Sequence, residues 1–381
     1  MTKQEAIIQL EALLDKPREY YAEKLKERFG DFVIGQVSRV ILFGAAEMGK
    51  IYIDRCRENG IEILAVCDND ASKSGSTLND VDIISFAELT AISRDTPIII
   101  TTIYDEEVYQ QLTEAGFTRV FPPAYFSVLY PDKFYNPHWI SSIDELLEQK
   151  DNVMRCFDLF ADAVSQESFL NIVRYRLLFD RTYIKLIERP KEEEYFDERI
   201  TQLNPEEIFV DGGAYQGDTV AHFLQVTNGN FRGIHSFEPD TASFAKLKEY
   251  TDSLNDPRIH VYPFGLGESR GSFKFSNQGT LGSKMDENAE TTVEIVDLDS
   301  MFLDVKPTLI KVDIEGFELE ALRGARKIIT SQAPKLAVCV YHKPADLWQL
   351  PLLLKEMVPE YRLFIRHYSP FLYDTVCYAV K

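Results

Sequence analysis

Ten residues near the middle of the chain combine the types that could handle a nucleotide-like ligand. They read Phe209-Val210-Asp211-Gly212-Gly213-Ala214-Tyr215-Gln216-Gly217-Asp218. An apolar run ends in a carboxylate, and a glycine-rich turn then opens a helix. Glycine reaches positive φ at low cost and lets backbone amides approach a ligand closely. A second apolar run ends in Phe237-Glu238-Pro239, twenty-seven residues after Asp211. A carboxylate at that strand end is placed as in dinucleotide folds, where it bonds ribose hydroxyls. A third run, Leu309-Ile310-Lys311-Val312, delivers Asp313 and Glu315, and a fourth ends in Tyr341-His342. Helix capping is the plainer explanation of any one of these acids. Their grouping at strand ends favours a ligand cleft.

The chemistry follows from charge. A nicotinamide site would carry GxGxxG after an apolar residue, whereas here Asp211 precedes the glycines. An acid at that point suits a ligand with positive charge near the turn, and S-adenosylmethionine carries an ammonium and a sulfonium. Asp313 and His342 are the candidates for a base acting on a hydroxyl, with Glu315 shaping the site.

Strands and helices alternate around these residues. Apolar runs at 208–210, 234–237, 259–262, 308–312 and 335–340, separated by helical stretches, predict a parallel α/β sheet buried on both faces. Two more runs, at 362–367 and 375–380, are joined without a helix and should pair antiparallel. A hairpin-like insert is expected between Gly271 and Asp299. Upstream, runs at 40–43, 63–67, 97–101 and 120–121 alternate with helices in the same way. The intervening residues 131–204 show helical spacing only. The chain therefore divides into an N-terminal helical segment with a linker (1–36), a Rossmann-like accessory domain (37–130), a helical connector (131–204) and a C-terminal domain (205–381).

Residues 205–381 resemble the FkbM family of S-adenosylmethionine-dependent methyltransferases. The likeness is carried by VDGGAYQGD, FEPD, IHVYPFGLG, VDLD and above all IKVDIEGFELEALRGA followed by VCVYH. It implies the class I methyltransferase fold and methylation of a hydroxyl on a sugar, glycan or related small metabolite, a nucleotide-sugar being one form of such an acceptor. It implies cofactor contacts by Asp211, Gly213, Ala214, Gly217, Asp218 and Glu238, and catalysis by Asp313, His342 and Glu315. Where the family's turn commonly has Asn, this chain has Tyr215. Residues 37–130 are similar to small Rossmann-like domains that precede some polysaccharide-modifying enzymes. LFGAAEMGK has Gly44 and Gly49 but no middle glycine, so neither NAD nor S-adenosylmethionine is expected there. Two other functions stay open: a nucleotide-sugar oxidoreductase or epimerase, and a catalytically silent binding protein of the same fold.

Composition narrows the partners. The 381 residues carry 61 acids and 41 bases, a formal net charge of −20, with no basic module. That disfavours nucleic acid and anionic membrane surfaces. No apolar run is long enough to span a membrane, and the opening residues lack the features of a secretory signal. Five scattered cysteines without CxxC read as reduced, buried thiols of a cytoplasmic protein, and no metal site is expected from them.

Overall fold

The computed structural model describes residues 1–134, 143–275, 291–302 and 305–381. It falls into two compact units. One holds residues 13–147 and 174–181; the other holds 1–12, 148–173 and 182–381. The segment 131–204 is thus shared between them.

The first unit is built on six strands: β1 (Arg39–Phe43), β2 (Glu62–Cys67), β3 (Thr77–Leu78), β4 (Val81–Ile84), β5 (Ile98–Ile100) and β6 (Val120–Phe121). Their order is β3-β4-β2-β1-β5-β6, parallel except for the β3–β4 hairpin at one edge. Ile41, Phe43, Ile98 and Ile100 are buried with Val108, Leu112 and Val120 in one cluster, as continuous apolar strands require. The expected linker after the first helix is itself a helix, Arg18–Phe29. Tyr21, Leu25 and Phe29 supply its buried face at a spacing of four, and Gly30 ends it at φ +82°.

The second unit contains a seven-stranded sheet: β7 (Ile208–Gly212), β8 (Gly233–Phe237), β9 (Ile259–Tyr262), β13 (Leu309–Val312), β14 (Lys335–Cys339), β15 (Arg362–His367) and β16 (Thr375–Val380). The order is β15-β16-β14-β13-β7-β8-β9, with only β16 running against the rest. This is the expected parallel sheet closed by an antiparallel hairpin. Between β9 and β13, β10 (Gly265–Leu266), β11 (Gly271–Phe275) and β12 (Thr291–Val296) form a small sheet in which β11 and β12 pair antiparallel. The strands of the expected insert are therefore present, and its tip lies outside the described residues.

Register decides where the chemistry goes. Gly212 pairs with Phe237 and with Val312, and Val312 with Val338. The residues that follow, 213, 238, 313 and 340–342, therefore emerge at one sheet edge. That is the carboxyl edge, where open α/β sheets bind ligands.

All five cysteines are free and buried. No helix among the described residues is long and apolar enough to cross a membrane.

Candidate active site

The glycine turn is held from three sides. Gly213 and Ala214 donate their amides to Phe237 O, both at 3.0 Å. Gly213 has φ +78°, and a Cβ there would lie 1.8 Å from Asp313 O. Glycine is required for both reasons, and its backbone packs directly on that of Asp313. Gly217, at φ +95°, begins the helix Asp218–Val226, and a Cβ on it would strike Tyr250 at 2.7 Å. Ala214 is fully buried, Asp218 is exposed in the first helical turn, and Tyr215 is exposed with φ +47°.

Glu238 ties the turn to the second strand. Its Oε2 accepts the Tyr215 amide at 2.8 Å and its Oε1 the Asp240 amide at 2.8 Å. Asp240, not Glu238, caps the helix Thr241–Leu254. Burial pushes the Glu238 carboxyl up to about 7 against the pull of those two amides. Each oxygen keeps a further lone pair beyond the amide it accepts.

Asp211 lies deeper than its position before the glycines suggested. It is fully buried and faces Lys311, its cross-strand neighbour, with Nζ 3.1 Å from Oδ1. The same ammonium donates to Gly213 O at 2.7 Å. Burial raises Asp211, with Lys311 partly offsetting it. Burial also opposes the Lys311 charge, but Asp211 and Asp313 outweigh it and hold the ammonium above its usual range.

Asp313 is the meeting point. The Tyr195 hydroxyl donates to Oδ2 at 2.8 Å, and that of Tyr341 to Oδ1 at 3.4 Å. His342 Nε2 lies 3.5 Å from Asp313 Oδ1 and 3.6 Å from Glu315 Oε2, while its Nδ1 lies 3.0 Å from Glu318 Oε1. Despite burial, Lys311 and His342, with the Tyr195 hydroxyl, keep the Asp313 carboxyl below its ordinary value. Burial works against charge on His342, yet Glu318, Asp313 and Glu315 raise it to about 10. Burial raises Glu315, which adopts φ +55°. Asp313, His342 and Glu315 therefore come together, and Asp211, Gly213, Ala214, Gly217 and Glu238 gather at the turn beside them.

Three further residues belong to the site, of which Glu318 reads in sequence as a helix-start acid. Glu318, at the start of the helix Glu318–Gly324, is fully buried and accepts the Ile314 and Gly316 amides. Tyr195 and Glu194 come from the connector. Glu194 ends a Lys-Glu-Glu-Glu run yet is buried against Lys191, and burial pushes it up to about 7. The signal available was Tyr195-Phe196, an aromatic pair ending a charged run.

In the first unit the corresponding features are consumed internally. Gly44 follows β1 at φ +126°, where a Cβ would lie 2.6 Å from Thr101 O, and one on Gly49 would lie 2.3 Å from Gly44 O. Asp68, at the end of β2, accepts the Ala45 amide at 2.7 Å and pairs with Lys73 at 3.0 Å.

Comparison with known proteins agrees with this geometry. Residues 211–369 match the Methyltransferase FkbM domain, and residues 36–119 match the C2185-like, N-terminal domain. Over 129 residues the chain is 26% identical to the hexuronic acid methyltransferase AglP of Haloferax volcanii, covering 32% of this chain and 53% of that protein. The chain thus spans about half the length of this curated relative. The crystal structure of an FkbM methyltransferase from Methylobacillus flagellatus superposes with a TM-score of 0.77 at 24% identity, covering 99% of this chain and 98% of that one. It shares the fold.

Proposed function

Because residues 211–369 belong to the FkbM methyltransferase domain family, we propose that this chain is an S-adenosylmethionine-dependent O-methyltransferase acting on a hydroxyl of a sugar, glycan or related small metabolite. The observation that carries the reading is the packing of Gly213 against Asp313. It sets a glycine turn and a partly exposed carboxylate side by side at one sheet edge.

The donor and acceptor set fits the cofactor. Glu238 has oxygen lone pairs that would accept ribose hydroxyls, and the turn 213–217 would let backbone approach a ligand closely. Asp211 acts through Lys311, whose ammonium fixes the Gly213 carbonyl. Ala214 shapes the turn from inside, and Asp218 complements the helix terminus. When bound, S-adenosylmethionine supplies an electrophilic methyl group on a sulfonium.

Asp313 takes the proton of the acceptor hydroxyl. Its side chain is 23% exposed, whereas that of His342 is 8% exposed and hemmed in by three carboxylates. Tyr195 and Tyr341 orient Asp313, and Glu315 borders the approach. Such a base contributes about 10²–10⁴-fold, and holding the reactants in near-attack geometry contributes more. A sugar-type acceptor is supported by the relative named for hexuronic acid. The buried, free thiols fit a cytoplasmic enzyme.

The test is Asp313→Asn with S-adenosylhomocysteine calorimetry alongside turnover. Turnover should fall about 10²–10⁴-fold with cofactor affinity unchanged. Full turnover on the acceptor, or no affinity of the wild type for S-adenosylhomocysteine, overturns the reading.

A further inference from the structure

Resting on the methyltransferase reading, we propose that Asp313, Glu318 and His342 bind a divalent cation of the Mg²⁺ or Mn²⁺ type at the acceptor side of the site. No metal was expected from the cysteines, and linear spacing hides this group, whose members come from the end of β13, the helix after it and the end of β14. Folded, they each offer one ligand atom within 4.8 Å of the others.

Acidic clusters are common without an ion, so the decisive feature is the imidazole. The His342 side chain is more than nine-tenths buried, and Nε2 has no hydrogen-bond partner among the described residues. It faces Asp313 Oδ1 at 3.5 Å and Glu315 Oε2 at 3.6 Å. Those separations are long for N–H···O bonds. They are close to the roughly 3 Å between neighbouring ligands about 2.1 Å from one ion. Glu318 adds a second orphan, its fully buried Oε2, which also lacks a hydrogen-bond partner among the described residues. Two buried polar atoms without hydrogen-bond partners, on two side chains of one cluster, would each be costly unless an ion, taking the place of the proton on His342, lies among them.

The donor set selects the ion. Oxygen ligands that outnumber a single imidazole suit Mn²⁺ and Mg²⁺ better than the nitrogen- and sulfur-rich sets typical of zinc or copper(I). Glu315 is placed as a further ligand or as the partner of a bound water. The Asp313 oxygens divide their work: Oδ1 faces the cation, and Oδ2 faces Tyr195. An ion here would hold the acceptor hydroxyl at the edge where Asp313 receives its proton, and would lower that hydroxyl's pKa as it does for bound water.

The experiment titrates the full chain with MnCl₂ alone, without cofactor or acceptor, and reads free Mn²⁺ by electron paramagnetic resonance. One equivalent should bind at micromolar concentration. His342→Gln and Asp313→Asn should each weaken binding at least roughly 10–100-fold, the loss typical even of outer partners of a metal site. Glu249→Gln, on an exposed helix face, should not. Spin-echo modulation on the wild type should show one nitrogen coupled to the ion, a readout needing no variant. Absence of that coupling, absence of binding up to about 1 mM, or equal affinity in the variants overturns the site. S-adenosylhomocysteine binding by the same sample separates the two readings. If the cofactor binds and Mn²⁺ does not, only the cation site fails; if Mn²⁺ binds and the cofactor does not, the methyltransferase reading fails.

Discussion

The Tyr195 hydroxyl donates to the Asp313 carboxylate at 2.8 Å, joining a residue 118 positions upstream to the end of β13. Tyr195 is itself held in the left-handed region at φ +63°, with its amide donating to the Tyr378 hydroxyl at 3.0 Å. A connector residue is thereby built into the candidate site.

Removing that hydroxyl should cost turnover without unfolding the protein. In Tyr195→Phe the ring stays buried and a bond to a charged acceptor is lost. Such bonds contribute about 1.5–3 kcal/mol, so kcat should fall roughly 10–100-fold with KM for the cofactor unchanged. Steady-state kinetics with both substrates varied checks this; an unchanged kcat would show that Tyr195 only packs.

Cofactor affinity should depend on pH through Glu238. Burial pushes its carboxyl up to about 7, so a carboxylate accepting ribose hydroxyls would be depleted as pH falls below that value. S-adenosylhomocysteine should bind more tightly at pH 8 than at pH 6, and Glu238→Gln should flatten the difference and weaken binding by about 1–3 kcal/mol at pH 8. Stability moves the other way. The folded pKa lies above the ordinary 4.5, so the stabilising contribution is complete below about 4.5 and is lost as pH rises through about 7. Calorimetry at the two pH values reads the first effect, and melting temperatures of wild type and variant the second.

The Asp211–Lys311 pair should be worth more intact than either half alone. Both side chains are at most 2% exposed. Lys311→Met strands a buried carboxylate and should cost about 3–5 kcal/mol. Adding Asp211→Asn to Lys311→Met should restore a large part of that loss. Urea unfolding of the three proteins decides it; additive losses would mean that the two charges do not interact.

In the first unit, Asp68 should serve the fold alone. Asp68→Ala removes acceptors from the Ala45 and Asp70 amides and a partner from Lys73. The melting temperature should fall by roughly 2–10 °C. Affinity for S-adenosylhomocysteine should stay the same, and NAD should not bind. A change in cofactor affinity in this variant would assign the first unit a ligand role.

Alternating apolar runs and glycine turns determined the two α/β sheets, the closing hairpin and the acids at the carboxyl edge, because strand burial and turn conformation are local in origin. IKVDIEGFELEALRGA carried the family for the same reason: its residue types answer to one turn and one strand end. Tertiary structure alone decided the partners. Lys311 in an apolar strand reads as an oddity until register sets it against Asp211. Glu194 closes a charged run that looks solvated, and Tyr195 carries no signal of its own until the connector brings it to Asp313 and Cys339. His342 looks like a free base until three carboxylates converge on its ring. Register and long-range packing set these contacts, and neither is written in local spacing.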